Sequence, residues 1–299
     1  MKMGCFLQSL MVGALFLAVG LWIGSLTSQA ASLKQVYSYK KERSVKVDVT
    51  RDGKKDTLTF GEKMDSDNNY IDKFTVKVNG KNAIALKNTG ALYFGVYYLK
   101  LSAKREYLQI AGGAENDYQV INRIYAYNNK TGKFEKKADI RKIPCRLADI
   151  TSVKKNKITV KFNAQYNEVG NIEWKYDYKV TDKKITLVSR TSRAVASTLG
   201  DVDYPGDGYE KLFAKNLFKV QNAFSLYTDI SCKKESFTAE RDALLKLSKI
   251  RMEAKKMYLM FEMDQKTGWI QADTHEFDFS TDSPQKSGLF YGVFDRMAG

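Results

Sequence analysis

The loop Asp48-Val-Thr-Arg-Asp-Gly-Lys-Lys-Asp56 carries carboxylates at positions 1, 5 and 9. They belong to Asp48, Asp52 and Asp56, and Gly53 occupies position 6, where a calcium loop turns sharply. Hard oxygen ligands at this spacing predict a structural Ca²⁺ site of modest affinity, because Thr59 replaces the bidentate glutamate of an EF-hand. The alternative is a plain hairpin turn at Asp52-Gly53. The predicted metal ligands, the lysine through its backbone carbonyl, are Asp48, Thr50, Asp52, Lys54 and Asp56.

No constellation for catalysis accompanies this loop. His275 is the only histidine and has no cysteine or second histidine at metal-ligand spacing, so neither a zinc site nor a Ser-His-Asp arrangement is predicted. Carboxylate pairs for glycoside hydrolysis stay open, because sequence spacing does not give distances in space. The residue types therefore predict a protein that binds and does not catalyse.

The first thirty residues have the form of a secretory signal peptide. Lys2 precedes an apolar run, and Ser28-Gln29-Ala30 supplies small residues for cleavage after Ala30. An uncleaved N-terminal anchor is the alternative, although the run is short for a bilayer. We expect a secreted or cell-surface protein with no stable membrane span after cleavage of residues 1–30.

The charge of the remaining chain favours anionic partners. The full chain of 299 residues has a net charge of +15, and removal of the leader with its one lysine leaves +14. For an exported protein the expected partner is cell-wall peptidoglycan or an anionic wall polymer. Nucleic acid is not predicted, because the lysines are spread along the chain without an arginine cluster and interleaved aromatics. Cys145 and Cys232 could form a disulfide after export, but we interpret both as buried thiols.

Period-two alternation predicts β-strands on both sides of the aspartate loop. Val45, Val47 and Val49 alternate with polar residues before the loop, and Leu58 and Phe60 do so after it. A third strand, 74–78, ends at Asn79-Gly80, which is a strong hairpin signal. The pattern returns fifty residues later, where 106–110 matches 56–60 and 124–134 matches the third strand. A period of this length is typical of propeller blades.

The segments Asp48-Val-Thr-Arg-Asp-Gly-Lys-Lys-Asp-Thr-Leu-Thr-Phe60 and Ile124-Tyr-Ala-Tyr-Asn-Asn-Lys-Thr-Gly-Lys-Phe134 resemble FG-GAP or VCBS-type repeats. These repeats form blades of integrin-like propellers and occur in secreted proteins of Gram-positive bacteria. The resemblance covers residues 40–140, and it implies a β-rich domain over 31–204. The second copy has Ser102 and Lys104 where acids would bind calcium, and two or three units do not close a propeller. A blade stack or a β-sandwich is therefore expected.

Pro205-Gly206-Asp207-Gly208 breaks the pattern and predicts a second domain over 205–299. Within it, 224–229, 242–247, 258–261 and Lys266-Thr-Gly-Trp-Ile270 resemble a bacterial SH3-like barrel. The resemblance implies a groove in which aromatics contact wall peptide or glycan. Tyr227 is the better groove candidate, and Trp269 is interpreted as a core residue. The implied ligand-binding residues are Tyr227, Tyr258, Trp269 and Tyr291.

Residues 239–263 give conflicting signals. They are rich in good helix formers, and Leu244, Leu247, Ala254 and Met257 lie near helical spacing. The flanking aromatic strands favour strands instead, because packing overrides propensity. We therefore predict an all-β chain, in which a blade-like or sandwich domain is followed by a small SH3-like barrel. The predicted function is a secreted, non-catalytic wall-binding protein. The alternatives are the targeting part of a wall hydrolase or an interaction protein for another secreted protein.

Overall fold

The computed structural model describes ten stretches of the chain, and within them the all-β prediction is confirmed. The predicted signal peptide and the predicted boundary residues 205–207 lie outside the described part. In that part the one α-helix is α1 (Glu210–Phe213), and no helix is long and apolar enough to cross a membrane. The described residues are 31–38, 43–67, 69–115, 118–143, 145–166, 168–181, 183–195, 208–253, 256–272 and 289–293.

Three antiparallel sheets contain the strands. The first sheet has the order β2 (Ser44–Val47), β3 (Asp56–Met64), β4 (Ile71–Val78), β5 (Lys81–Ala91). The second has the order β1 (Ser32–Ser38), β6 (Tyr93–Ser102), β7 (Arg105–Gly113), β8 (Gln119–Asn128), β9 (Lys133–Asp139).

The third sheet has eleven strands and is open in the described residues, where no sheet closes into a barrel. It begins β10 (Leu147–Lys154), β11 (Lys157–Tyr166), β12 (Gly170–Val180), β14 (Thr191–Val195), β18 (Leu244–Glu253). It continues β19 (Lys256–Met263), β20 (Lys266–Ala272), β16 (Phe224–Tyr227), β17 (Glu235–Ala239). Two short strands pair at the side, β13 (Ile185–Leu187) with β12 and β15 (Leu217–Lys219) with β18.

The hairpins that the sequence predicts around the aspartate loop are confirmed. Val47 of β2 pairs with Asp56 of β3, so the loop joins two antiparallel strands. Asn79 and Gly80 both have positive φ, 49° and 81°, as a two-residue hairpin turn of the primed type requires. Local alternation and turn chemistry therefore account for the whole first sheet.

The second sheet is buried on both faces because it lies between the other two. Leu108 and Ile110 pack into one core with the first sheet, while Leu99 and Ile124 pack into the other core with the third. Apolar side chains are consequently needed on both faces of these strands, and β7 is an almost continuous run of buried residues. The molecule is thus a layered stack of sheets.

The third sheet contains strands from both sides of the segment 196–207, which itself lies outside the described residues. β14, which precedes this segment, pairs with β12 on one side and with β18 on the other. One core contains both Trp174 from the N-terminal side and Phe261 from the C-terminal side. The strands assigned from sequence to an SH3-like barrel thus belong to a sheet that also includes β10, β11 and β12 of the N-terminal part.

Within 239–263, the segments 244–253 and 256–263 form strands, which confirms the strand prediction over the helical one. Leu245 and Leu247 are buried alternately along β18, and then Ile250 and Met252. A bulge between Leu247 and Lys249 inserts one residue. The buried residues Leu247 and Ile250 are therefore three positions apart in the sequence, a spacing that is typical of a helix.

The end of the described chain packs back on the C-terminal strands. Phe290 is buried, and its ring centroid lies 5.1 Å from that of Phe218 and 5.3 Å from that of Phe261. A bridge joins Val220 to Phe290, directly after β15. The last segment is thus part of the core.

Candidate functional site

The carboxylates of the aspartate loop are held by donors of the loop and its neighbours. Asp48 accepts hydrogen bonds from the backbone N–H groups of Asp52 (3.2 Å) and Gly53 (3.0 Å). The buried Asp56 accepts from the N–H groups of Val49 (3.0 Å) and Thr50 (2.9 Å). Its other oxygen accepts from Asn79 Nδ2 at 2.8 Å. The loop is therefore closed by carboxylate caps on its own backbone.

This arrangement bears on the calcium prediction. In the described residues no three acidic, histidine or cysteine side chains come together as metal ligands would. Asp52 accepts from the N–H of Lys54 at 2.8 Å, and the buried Thr50 hydroxyl has no hydrogen-bond partner among the residues that the structure describes. An ion at this place would have to replace backbone donors on Asp48 and Asp56. The calcium site stays a prediction, and the Thr50 hydroxyl is an oxygen that could act as one of its ligands.

The loop is anchored to the second sheet by contacts that the sequence did not reveal. The hydroxyl of Tyr98 donates to the carbonyl of Asp48 at 3.3 Å, and Asn129 Nδ2 donates to the carbonyl of Thr50 at 2.7 Å. Burial raises the pKa of Tyr98, and the nearby Glu106 carboxylate raises it further. Burial also raises the pKa of Glu106, although Lys100 lies 2.9 Å from its carboxylate. The loop therefore has a structural task at the junction of two sheets.

Three of the four predicted aromatic ligand residues share one face of the third sheet. Tyr227 at the end of β16 lies directly opposite Trp269 of β20, which in turn lies opposite Met260 of β19. Directly paired residues of antiparallel strands point to the same side, and Tyr258 lies two residues before Met260 on the same strand. We call Tyr227, Tyr258, Met260 and Trp269 the aromatic face.

The aromatic face is partly open. Tyr227 and Trp269 are half-buried, so the interpretation of Trp269 as a core residue is wrong. Tyr258 and Met260 are buried at 8% and 5% exposure and form its floor. Gly268 explains the approach of β20 to β16, because a Cβ at this position would lie 2.4 Å from the Cβ of Leu226. The Gly-Trp pair thus brings Trp269 beside Tyr227.

Tyr291 lies apart from this face. Its ring stacks on Tyr209 at 6.0 Å between centroids, its hydroxyl accepts from Arg241 Nε at 3.0 Å, and Lys219 Nζ lies 5.3 Å from its centroid. Gly292 has a φ of +75°, which turns the chain at this place. Because the last segment pairs beside β15, Tyr291 contacts Tyr209, Lys219 and Arg241 instead of the groove aromatics.

A polar cavity of about 220 Å³ on the outer face of β10–β12 was not found by sequence reasoning. Lys161 is ion-paired to Glu173 at 2.8 Å, and Asp149 lies opposite Lys161 across the strands. Burial raises the pKa of Asp149, the charge of Glu173 raises it further, and Lys161 opposes the shift. Glu173 is thus ion-paired with Lys161, whereas Asp149 faces the same lysine without an ion pair among the described contacts.

Cys145 and Cys232 are not joined by a disulfide in the structure. Cys145 is buried, as predicted, but Cys232 is half-buried, so the prediction is wrong for this residue. It occupies a turn with a φ of 53°. Comparison of the chain with protein-family models, with curated proteins and with solved structures finds no match.

Proposed function

We propose that this chain is a secreted, non-catalytic binding protein that uses the aromatic face to contact cell-wall peptide or glycan. The observation that carries the proposal is the direct pairing of Tyr227 with Trp269 on adjacent strands, both half-buried. Amphipathic aromatic rings with one side packed and one side open suit ligands that are partly apolar and partly polar, such as sugars and short peptides.

The proposed relationships to FG-GAP or VCBS-type repeats and to SH3-like domains have support in the strand order. Three successive antiparallel meanders follow one another over 44–91, 93–139 and 147–180. In the C-terminal part, β18, β19 and β20 form a further meander, and the last described segment pairs beside β15. Export through the predicted leader would bring these units to the cell surface, and a structural calcium ion would sit at the aspartate loop.

Co-sedimentation with purified cell-wall sacculi tests the aromatic face. The full chain should pellet with the sacculi, and Tyr227→Ala should lose on the order of tenfold in affinity, as truncation of a half-open aromatic contact does. Tyr70→Ala is the matched control, because Tyr70 is also half-buried but lies directly before β4 in the first sheet, away from the aromatic face. Unfolding curves of both variants show whether the fold survives.

Two outcomes would overturn this function. If Tyr227→Ala pellets as well as the wild type and Tyr70→Ala, the aromatic face is not the contact. If the full chain releases soluble wall fragments, the protein is a hydrolase, and the carboxylates of Asp149 and Glu173 beside Lys161 become the first candidates for its chemistry.

A further inference from the structure

The outer face of the first sheet is basic and contains no acid at any paired position. On β3 and β4 the residues Leu58, Phe60, Phe74 and Val76 point into the core, so their neighbours in the alternation point outward. We call these outward residues the basic face. They are Ser44, Lys46, Thr57, Thr59, Gly61, Lys63, Lys73, Thr75, Lys77, Asn82, Ala85 and Lys87.

Three lysines of this face stand in one row across three strands. Lys63 of β3 lies directly opposite Lys73 of β4, and Lys73 lies directly opposite Lys87 of β5. Neighbouring strands are about 4.8 Å apart, so the row brings three positive side chains within about 10 Å. Like charges directly opposite each other destabilise a sheet. The row is therefore unfavourable for the isolated protein.

No acid of the described chain neutralises the row. None of the five lysines of the basic face forms an ion pair within the described residues. The carboxylate of Asp56 points to the core side of the sheet, away from the basic face. Asp65 lies beyond the end of β3 and accepts hydrogen bonds from the N–H groups of Asn69 and Tyr70. Asp72 falls in a bulge of β4 and has no paired position in the sheet.

The outer face of the third sheet shows the opposite arrangement. There Lys157 pairs with Asp177 at 2.7 Å, and Lys161 pairs with Glu173 at 2.8 Å on the neighbouring strand. The same chain thus matches outward lysines with acids on one sheet and leaves them unmatched on another. The difference points to an external partner that supplies the negative charge.

We propose that the basic face binds a linear polyphosphodiester. Lysines act on phosphate groups as point charges, whereas planar carboxylate recognition favours arginine, which is absent from this face. The hydroxyls of Thr57 and Thr59 stand beside Lys46 and Lys77 as further donors. Nucleic acid is disfavoured because the face has no aromatic side chain on which bases could stack. A bilayer is disfavoured because the face has no large apolar side chain to insert.

This surface is separate from the aromatic face, and the two can be tested separately. The probe is poly(glycerol phosphate), titrated into the full chain at several salt concentrations. Lys63→Gln/Lys73→Gln/Lys87→Gln should bind at least about tenfold more weakly at low salt, and the slope of log K against log salt should fall by about 2. The control Lys155→Gln/Lys183→Gln/Lys184→Gln removes the same charge from exposed positions elsewhere and should bind nearly as the wild type does. Tyr227→Ala should leave this binding unchanged.

A single substitution separates a binding role from a structural one. Lys73→Glu places a negative charge between Lys63 and Lys87, so two repulsions become two attractions. It should raise the urea midpoint of unfolding and weaken polymer binding. If Lys73 had only a structural role, the substitution would lower both the urea midpoint and the affinity for the polymer.

Four results would overturn the proposal. Equal losses in both triple variants would show that only net charge matters. Tighter binding of oligo-dT at equal phosphate would assign the face to nucleic acid. Tighter binding of phosphatidylglycerol vesicles would assign it to a membrane, and equal binding of polyglutamate would remove the preference for phosphate.

Discussion

Substitution of Asn122 should destabilise the protein more than any exposed asparagine does, because this side chain closes the open edge of the third sheet. Asn122 lies on β8 and is 0% exposed. Its Nδ2 donates to the carbonyl of Ala148 at 2.7 Å and to Gln119 Oε1 at 3.0 Å. Its Oδ1 accepts from Gln109 Nε2 at 2.9 Å. The N–H of Ala148 donates to Gln119 Oε1 at 3.0 Å.

Strand β10 is the last strand of its sheet, so the outward N–H and C=O of Ala148 need partners from elsewhere. The two amide side chains of β8 provide them and join the second sheet to the third. Asn122→Ala leaves the Ala148 carbonyl and Gln109 Nε2 without a partner in a buried place. Each such group costs about 1–3 kcal/mol, so the free energy of unfolding should fall by about 2–6 kcal/mol.

Equilibrium urea unfolding, followed by the fluorescence of the buried Trp174, measures this loss. Asn82→Ala, an exposed asparagine on the first sheet, is the control and should change the free energy of unfolding by less than about 0.5 kcal/mol. Asn122→Leu keeps the volume and removes the amide, so it should be at least as unstable as Asn122→Ala. Recovery of stability in Asn122→Leu would refute the reasoning, because cavity volume and not hydrogen bonding would then explain the loss.

Two further predictions concern the aspartate loop and its neighbour. If the loop binds calcium, Ca²⁺ added to chelator-treated protein should raise Tm. The rise should disappear in Asp52→Asn. Asp52 is the suitable position because its carboxylate accepts only from the N–H of Lys54 among the described contacts. Equal Tm values with and without Ca²⁺ would contradict the site. Because burial raises the pKa of Glu106, its ionisation should reduce stability as pH rises from the ordinary glutamate value of about 4.3 through the folded pKa. Glu106→Gln should remove that decline in urea midpoints measured from pH 4 to pH 8, and an unchanged pH profile would show that Glu106 is not its source.

Local features of this fold could be predicted from the sequence. The alternation around Leu58 and Phe60 and the Asn79-Gly80 turn define a hairpin from contacts between near neighbours. The strand over 244–253 is harder to predict from the sequence, because one bulged residue at Ser248 converts a period of two into a helix-like spacing. Propensity could not resolve this conflict, since the packing partners of Leu247 and Ile250 come from other parts of the chain.

The candidate site shows the same limit. The sequence predicts Tyr227 and Trp269 as ligand-binding residues, but only the pairing of β16 with β20 shows that they are neighbours. The sequence predicts Tyr291 in the same groove, yet the last segment lies beside β15, and Tyr291 therefore stacks on Tyr209. The amide network of Gln109, Gln119 and Asn122 has no sequence signal, because its backbone partners lie on an edge strand that is distant in the sequence.

The amide network and the basic face use polar side chains in opposite ways. Inside the molecule, Asn122 has partners for both ends of its amide, so its burial is compatible with a stable core. On the first sheet, Lys63, Lys73 and Lys87 repel one another, and no acid of the described residues forms an ion pair with them. A polyanion that binds only the folded sheet would remove this repulsion and stabilise the protein by mass action. Poly(glycerol phosphate) should therefore raise the Tm of the wild type and leave that of the Lys63→Gln/Lys73→Gln/Lys87→Gln variant nearly unchanged, since the row of charges that it neutralises is gone.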